Sequence, residues 1–150
     1  RVLLCGETDR VADYYRLADG FLLSSLTEGW SLAMNEAMYF QLPLILTDVG
    51  GASDVIENGD IGILVPPAFS DPLEVSAANL WDYCTNRSPR NLDALAAAVV
   101  ELHDELDLWK QKAKAGRRKV LERYDQRLVA ERYQRCFEEV VYRHHGHLES

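Results

Sequence analysis

The sequence predicts an α/β fold, a Rossmann-like parallel sheet with helices on both faces, followed by a helical C-terminal segment. Over the first 66 residues, short apolar runs of strand type alternate with helical runs. This alternation puts crossover helices on both faces of a parallel sheet. From Leu92 onward, apolar residues recur at helical spacing. With 150 residues, 47% of them hydrophobic, the chain can bury the core of one domain.

We predict a single domain over residues 1–150, with an α/β part at 1–67 and a mainly helical part at 68–150. Apolar runs bounded by Gly, Pro or Asn turns predict the strands Val2–Cys5, Phe21–Leu23, Leu44–Leu46 and Ile63–Val65. Apolar spacing and cap residues predict the first helices, at Asp9–Ala18, Ser31–Phe40, Ser53–Glu57 and around Leu73–Tyr83. Gly116 and Tyr124-Asp125 are expected to interrupt the helical tail.

Charge is distributed unevenly along the chain. Residues 1–108 carry 18 acidic and 5 basic side chains, whereas residues 109–150 carry 6 and 11. The acidic front part repels phosphate backbones, so nucleic acid is not an expected partner. The basic tail is typical of a solvated amphipathic helix.

The chain opens directly on the predicted buried strand Val2–Cys5, so we expect it to be a piece of a longer protein. No apolar run approaches the length of a membrane span. The three cysteines are widely separated and lack paired metal spacing, which is typical of reduced thiols. We therefore predict a cytoplasmic protein with no bound metal, and membrane association through the missing part stays open.

Two carboxylates flank a predicted helix start. Glu28 precedes the helix that begins at Ser31, and Glu36 lies about one and a half turns inside it. The free backbone amides of the first helical turn then lie between the two acids, where they can bind an anion. Such a geometry can bind a sugar nucleotide, with hydroxyl groups at the carboxylates and the diphosphate at the helix N-terminus.

The helix Ser31–Phe40 is apolar nearly all round, which predicts that it packs between layers. A carboxylate at Glu36 would then need partners, and the two hydroxyls of a ribose would satisfy it. The simpler alternative is that Glu36 faces solvent and Glu28 stabilises the helix dipole. Spacing alone leaves both interpretations open.

An ordered set of motifs resembles the donor-binding half of retaining GT-B glycosyltransferases, the group that includes glycogen synthases. The motifs run from Ala12 to Pro66. They are Tyr14-Tyr15-Arg16-Leu17-Ala18-Asp19, Ser25, Glu28-Gly29-Trp30-Ser31-Leu32, Asn35-Glu36-Ala37-Met38, Pro43-Leu44-Ile45, Gly50-Gly51, Asp54-Val55-Ile56 and Gly62-Ile63-Leu64-Val65-Pro66.

The resemblance implies a role for each motif residue. Glu28, the residue assigned to catalysis, contacts hydroxyls of the donor sugar, and Glu36 holds the ribose. The backbone of Gly29, Trp30, Ser31 and Leu32 binds the diphosphate. The implied activity is transfer of a hexosyl group from a nucleoside-diphosphate sugar to an unknown acceptor, without a metal or another cofactor. Catalysis would then consist mostly of positioning and of charge stabilisation on the leaving group.

The sequence departs from the family pattern in two respects. Gln41 stands where the family usually has Gly, so it must adopt a left-handed conformation or end the helix differently. The family's diphosphate-binding cations, its first two donor-domain strands and its acceptor domain lie upstream of this chain. Residues 2–86 contain only Arg10 and Arg16 as bases, so we expect no local replacement. The missing acceptor domain of the parent is the expected partner, and the chain alone is expected to show little transferase activity.

Two other functions remain open. A non-hydrolysing sugar-nucleotide epimerase has the same fold, but it would be expected to use several acid/base residues in its cleft. A non-catalytic interaction module could use the acidic front part and the basic tail. Calorimetry with nucleoside diphosphates and their sugars separates a nucleotide-binding enzyme from such a module.

Overall fold

In the computed structural model, which describes residues 1–69, 76–85 and 89–146, three parallel strands form the sheet. The strands are β1 (Phe21–Leu23), β2 (Leu44–Thr47) and β3 (Gly62–Val65), in the order β1-β2-β3. Phe21 pairs with Leu44, and Leu44 in turn with Gly62, so the carboxyl ends of all three strands lie at one edge.

Seven α-helices and one π-helical turn accompany the described strands. They are α1 (Val11–Leu17), α2 (Leu32–Tyr39), α3 (Ala52–Val55), α4 (Leu80–Thr85), α5 (Leu92–Asp104), α6 (Leu106–Lys119), the π-turn (Val120–Tyr124) and α7 (Gln126–Gly146).

The sheet has a packed core on each face. On one face, β2 residues Leu44 and Leu46 contact α1, α2, α3 and the π-turn, with Met34 and Met38 of α2 fully buried. On the other face, Ile45 packs against α5 and the start of α6. This arrangement confirms the predicted α/β class with helices on both faces.

The predicted strand Val2–Cys5 is wrong. These residues lack regular structure, and Leu4 is 96% exposed. A strand needs a neighbour that supplies hydrogen-bond partners, and within the described residues β1 pairs with β2 alone. The other edge of β1 is therefore open among the described residues, and Val2–Cys5 does not pair with it.

The helices predicted at Asp9–Ala18, Ser31–Phe40 and Ser53–Glu57 lie within a few residues of the observed bounds, and two other predictions are corrected. Gly116 does not interrupt the tail but lies inside α6, where an added Cβ would stand 3.1 Å from the Met38 carbonyl oxygen. The break near Asp125 is confirmed, and a second break occurs at Glu105. The first three residues of the helix predicted around Leu73–Tyr83 lie outside the described residues, and α4 begins only at Leu80.

Helix α2 ends in a left-handed cap at Gln41, whose φ is +62°. The amide of Gln41 donates to the Met38 carbonyl at 2.9 Å, and the amide of Leu42 donates to the Ala37 carbonyl at 3.0 Å. These two bonds form a complete Schellman motif. The first alternative for Gln41, a left-handed conformation, is therefore confirmed.

Replacing Gln41 with Gly should stabilise the fold by about 1 kcal/mol, because glycine adopts a positive φ without a Cβ clash. Urea denaturation of wild type, Gln41→Gly and Gln41→Ala measures the effect. The Ala variant is the control, since it also lacks the Gln side chain but keeps the Cβ. Equal gains for both variants would contradict the left-handed strain.

Candidate functional site

The candidate site lies at the carboxyl edge of the sheet, where the β1–α2 loop (residues 24–31) follows β1. Ligands of open parallel sheets bind at this edge. The turn after β2 supports the loop from below, since the Gly51 amide donates to the Gly29 carbonyl at 2.9 Å. The loop is therefore held by backbone contacts rather than by side chains alone.

Gly50 makes this close approach possible. Its φ is +56°, and an added Cβ would stand 2.4 Å from the carbonyl oxygens of both Glu28 and Gly29. Because backbone atoms cannot move aside as a flexible side chain can, this position requires glycine. The Gly50-Gly51 pair thus sets the height of the loop above the sheet.

Trp30 packs downward rather than outward. An added Cβ on Gly51 would stand 2.3 Å from Cε3 of the indole, and the Tyr124 ring lies 4.5 Å away between centroids. Half-covered by these contacts, Trp30 anchors the loop to the end of the π-turn.

Ser31 caps α2, its Oγ accepting a hydrogen bond from the Met34 amide at 3.4 Å. Within the described chain, no group accepts a hydrogen bond from the amides of Leu32 or Ala33. The Leu32 side chain is 73% exposed, so the first turn is open to solvent. These free amides, together with the helix dipole, can bind an anion.

Glu28 lies at the strand ends. It lines a cavity of about 10 Å³ together with Ser25, Ser31, Thr47 and Gly51. This volume holds about one water molecule, so a sugar could only be contacted from the outer side of the carboxylate. Thr47 closes the bottom by donating to the Leu23 carbonyl at 3.4 Å.

Glu36 is exposed, contrary to the expectation that α2 packs between layers. The helix buries only the side that carries Met34, Ala37 and Met38 and leaves Leu32 and Glu36 exposed. The Tyr15 hydroxyl donates to Glu36 Oε2 at 3.0 Å and so orients the carboxylate. Burial, followed by this hydrogen bond, raises the pKa of Tyr15 to about 12.

A larger groove of about 800 Å³, the α2–α7 groove, lies beside the loop. Trp30, Leu32 and Asn35 line one side, while Arg132 of α7 and Arg123 of the π-turn line the other. The expectation that no positive charge lies near the loop is therefore wrong. The cations come from the basic tail, more than ninety residues further along the chain.

The structure brings the predicted site residues together only in part. Glu28 and Ser31 share the strand-end cavity, whereas Trp30 and Leu32 line the α2–α7 groove. Gly29 is exposed at the top of the loop, and Glu36 belongs to neither concavity but pairs with Tyr15. The residues thus surround the start of α2 rather than lining one closed pocket.

Sequence reasoning missed Tyr15, Arg123 and Arg132 as site residues. Tyr15 belongs to the Tyr14-Tyr15-Arg16 motif, and a buried tyrosine needs a hydrogen-bond partner, which was a usable signal. No comparable local signal exists for the two arginines, because only the packing of the tail against α2 brings them here.

Residues 1–82 match the family described as "Glycosyl transferases group 1", and the chain belongs to this family. It is 44% identical over 64 residues to N-acetyl-alpha-D-glucosaminyl L-malate synthase of Bacillus anthracis, covering 43% of this chain and 17% of that protein. It is 30% identical over 105 residues to D-inositol 3-phosphate glycosyltransferase of Rhodococcus opacus, covering 70% and 22%. The chain thus spans about a fifth of the length of these relatives.

The fold matches a solved GT-B glycosyltransferase. Sucrose-phosphate synthase from Thermosynechococcus elongatus superposes with a TM-score of 0.65 and 23% identity, covering 88% of this chain and 28% of that chain. This likeness shows a GT-B fold, while the family match over residues 1–82 confirms the family resemblance seen in the motifs.

We expect Gly50→Ala to destabilise the protein by about 3 kcal/mol, since its Cβ overlaps backbone and its φ is positive. Gly29→Ala is the matched control, because an added Cβ there meets no atom within 4 Å. Urea denaturation of both variants measures the difference. Equal stability of the two variants would show that the loop does not rest on the Gly50 turn.

The Tyr15–Glu36 contact predicts a stability change at alkaline pH. The unfolded chain releases the Tyr15 proton near pH 10, the folded chain near pH 12, so the stabilisation is complete below pH 10 and is lost as the pH rises to 12. The difference in unfolding free energy between wild type and Tyr15→Phe should therefore shrink over this window. Denaturation at a series of pH values measures it, with the exposed Tyr142→Phe as control. A difference that stays constant across the window contradicts the prediction.

Proposed function

We propose that this chain is the donor-binding part of a retaining glycosyltransferase that moves a hexosyl group from a nucleoside-diphosphate sugar. The open first turn of α2 carries the proposal, because its free Leu32 and Ala33 amides lie between Glu28 and Glu36. Membership in the group 1 glycosyl transferases supports it. In this arrangement the diphosphate sits on the helix N-terminus, which favours negative charge.

The two acids have separate tasks in this proposal. Glu36, oriented by the Tyr15 hydroxyl, accepts hydrogen bonds from the ribose hydroxyls. Glu28, at the strand ends, accepts hydrogen bonds from hydroxyls of the donor sugar. Its contact with the reacting sugar makes it the proposed catalytic residue, and it need not attack the sugar itself.

The proposed reaction retains the configuration of the sugar and proceeds on one face of it. The bond between the anomeric carbon and the diphosphate oxygen breaks, and the acceptor hydroxyl forms the new bond on the same face. The leaving diphosphate oxygen takes the acceptor proton, so no protein nucleophile is needed. The residues of this chain contribute by positioning the donor and stabilising the leaving charge.

An acceptor domain of a longer parent is the proposed macromolecular partner. Helix α7 supports it, because all its residues from Glu131 to Tyr142 are exposed. An apolar stripe at helical spacing runs along α7, formed by Tyr133, Phe137 and Val141. An exposed apolar stripe of this kind marks a surface that binds another protein domain. Such a stripe beside the site suits contact with the domain that binds the acceptor.

Localisation follows the same proposal. No helix among the described residues combines the length and the apolar character needed to cross a bilayer. We propose that the parent acts in the cytoplasm, with peripheral membrane contact through its other part left open.

Isothermal titration with uridine, guanosine and adenosine diphosphates and their sugars tests the donor site. Glu36→Gln should weaken binding of both the diphosphate and its sugar by about tenfold, because it removes the charged acceptor of the ribose hydroxyls. Glu28→Gln should weaken only the sugar-bearing form. Glu101→Gln, an exposed acid on α5, is the control. Failure of every nucleotide to bind, or equal effects of all three variants, would refute the proposal.

A further inference from the structure

None of the described residues that line the α2–α7 groove is acidic. Its walls come from Trp30 of the β1–α2 loop and Leu32 of α2, and from Arg132 and Tyr133 of α7. In a chain whose net charge is -8, an acid-free groove that contains arginine is unusual. The charged side chains of this lining are therefore all basic, whereas the chain as a whole is acidic.

The two arginines of the groove differ in their partners. Arg123 forms an ion pair with Glu57. The hydrogen bond from Arg123 is the main cause that lowers the pKa of the Glu57 carboxyl, and the charge of Lys119 is the second cause. Its charge is thus compensated. Arg132 is exposed and donates only to the Arg123 carbonyl at 3.3 Å, and no described carboxylate lies within 4 Å of it. Arg132 is therefore the uncompensated cation of the groove.

The surroundings of Arg132 add recognition elements for more than a bare ion. Leu32, with its free amide, lies in the same groove, as does the Asn35 side chain, whose buried Oδ1 has no partner among the described residues. Trp30 and Tyr133 are 38% and 62% exposed and line the groove, so a sugar or base bound beside Arg132 can contact them. The groove therefore suits a hydroxyl-bearing or ring-bearing molecule with one negative group.

We infer that the groove is an anion-binding subsite, in which Arg132 pairs with a phosphate or carboxylate group of a substrate beside the donor loop. The guanidinium gives such a group two parallel N–H donors, which an amide cannot replace. The inference rests on the proposed function. Two sources share this chemistry: the diphosphate of the donor, or an acidic group on the acceptor.

Titration of the full chain with inorganic pyrophosphate at low ionic strength tests the shared chemistry. Arg132→Gln should weaken binding by about tenfold, the loss expected for one charge-assisted contact at a partly exposed site. Arg135→Gln is the matched control, since Arg135 is exposed on the same helix but lies outside the groove. Equal binding by the two variants, or no pyrophosphate binding at all, would overturn the inference.

Two further arms identify the source of the anion. Nucleoside diphosphates represent the donor, and glucose 6-phosphate, with glucose as its uncharged counterpart, represents an acidic acceptor. If Arg132 serves the donor, the two phosphate probes compete and both depend on Arg132. If it serves the acceptor, they bind together and only glucose 6-phosphate depends on Arg132. Both results support the subsite.

The variants also separate this inference from the proposed function. In one outcome, Glu36→Gln weakens nucleoside-diphosphate binding while Arg132→Gln changes the affinity of no anion probe. This outcome overturns the subsite and leaves the donor site intact. In the opposite outcome, Arg132→Gln weakens pyrophosphate binding while Glu36→Gln leaves nucleotide affinity unchanged. This outcome supports the subsite and refutes the donor site. The two failures are therefore distinguishable.

Discussion

The close approach of the Gly50-Gly51 turn to the backbone of the β1–α2 loop is the contact on which the site depends. A side chain at Gly50 would occupy the space of the Glu28 and Gly29 carbonyls, and one at Gly51 would occupy the space of the Trp30 ring. The turn follows β2 and the loop follows β1, so parallel pairing of these strands brings the two together. This contact therefore fixes how far Glu28 and the first residue of α2 lie from the ends of the strands.

The other end of α2 is held by the helical tail. Gly116 lets α6 approach the Met38 backbone, and Arg117 donates to the Tyr39 hydroxyl at 3.0 Å. Lys119, buried at the end of α6, donates to the Val55 carbonyl at 2.6 Å and to Asp60 at 3.2 Å. A buried ammonium is tolerated only with such partners. The tail therefore supports the α/β part as well as supplying arginines to the groove.

Much of the fold could be predicted because it depends on local patterns. The strands β1, β2 and β3 are short apolar runs between turn residues, and Ser31 is a strong helix cap at the predicted place. Gln41 shows how far such reasoning reaches. The departure from glycine predicted a strained or altered helix end, and the observed φ of +62° confirms the first alternative.

Predictions failed where the outcome depended on which neighbours were present. Val2–Cys5 has the composition of a buried strand, yet it is exposed and does not pair with the open edge of β1, because composition alone does not determine pairing. Glu36 was expected inside a packed helix, but α2 buries only the side that carries Met34, Ala37 and Met38, and Glu36 is exposed. Gly116 looked like a helix breaker, and its actual role is visible only from its distance to Met38.

The sequence by itself determined the α/β class, the order of the elements and the motif around α2, because these depend on apolar periodicity, turn residues and caps within short windows. The tertiary structure alone decided that Tyr15 orients Glu36, that Gly50 supports the loop, and that Arg132 lies beside it. These contacts join residues far apart in the chain, and only the packing of the helices on the sheet brings them within reach of one another.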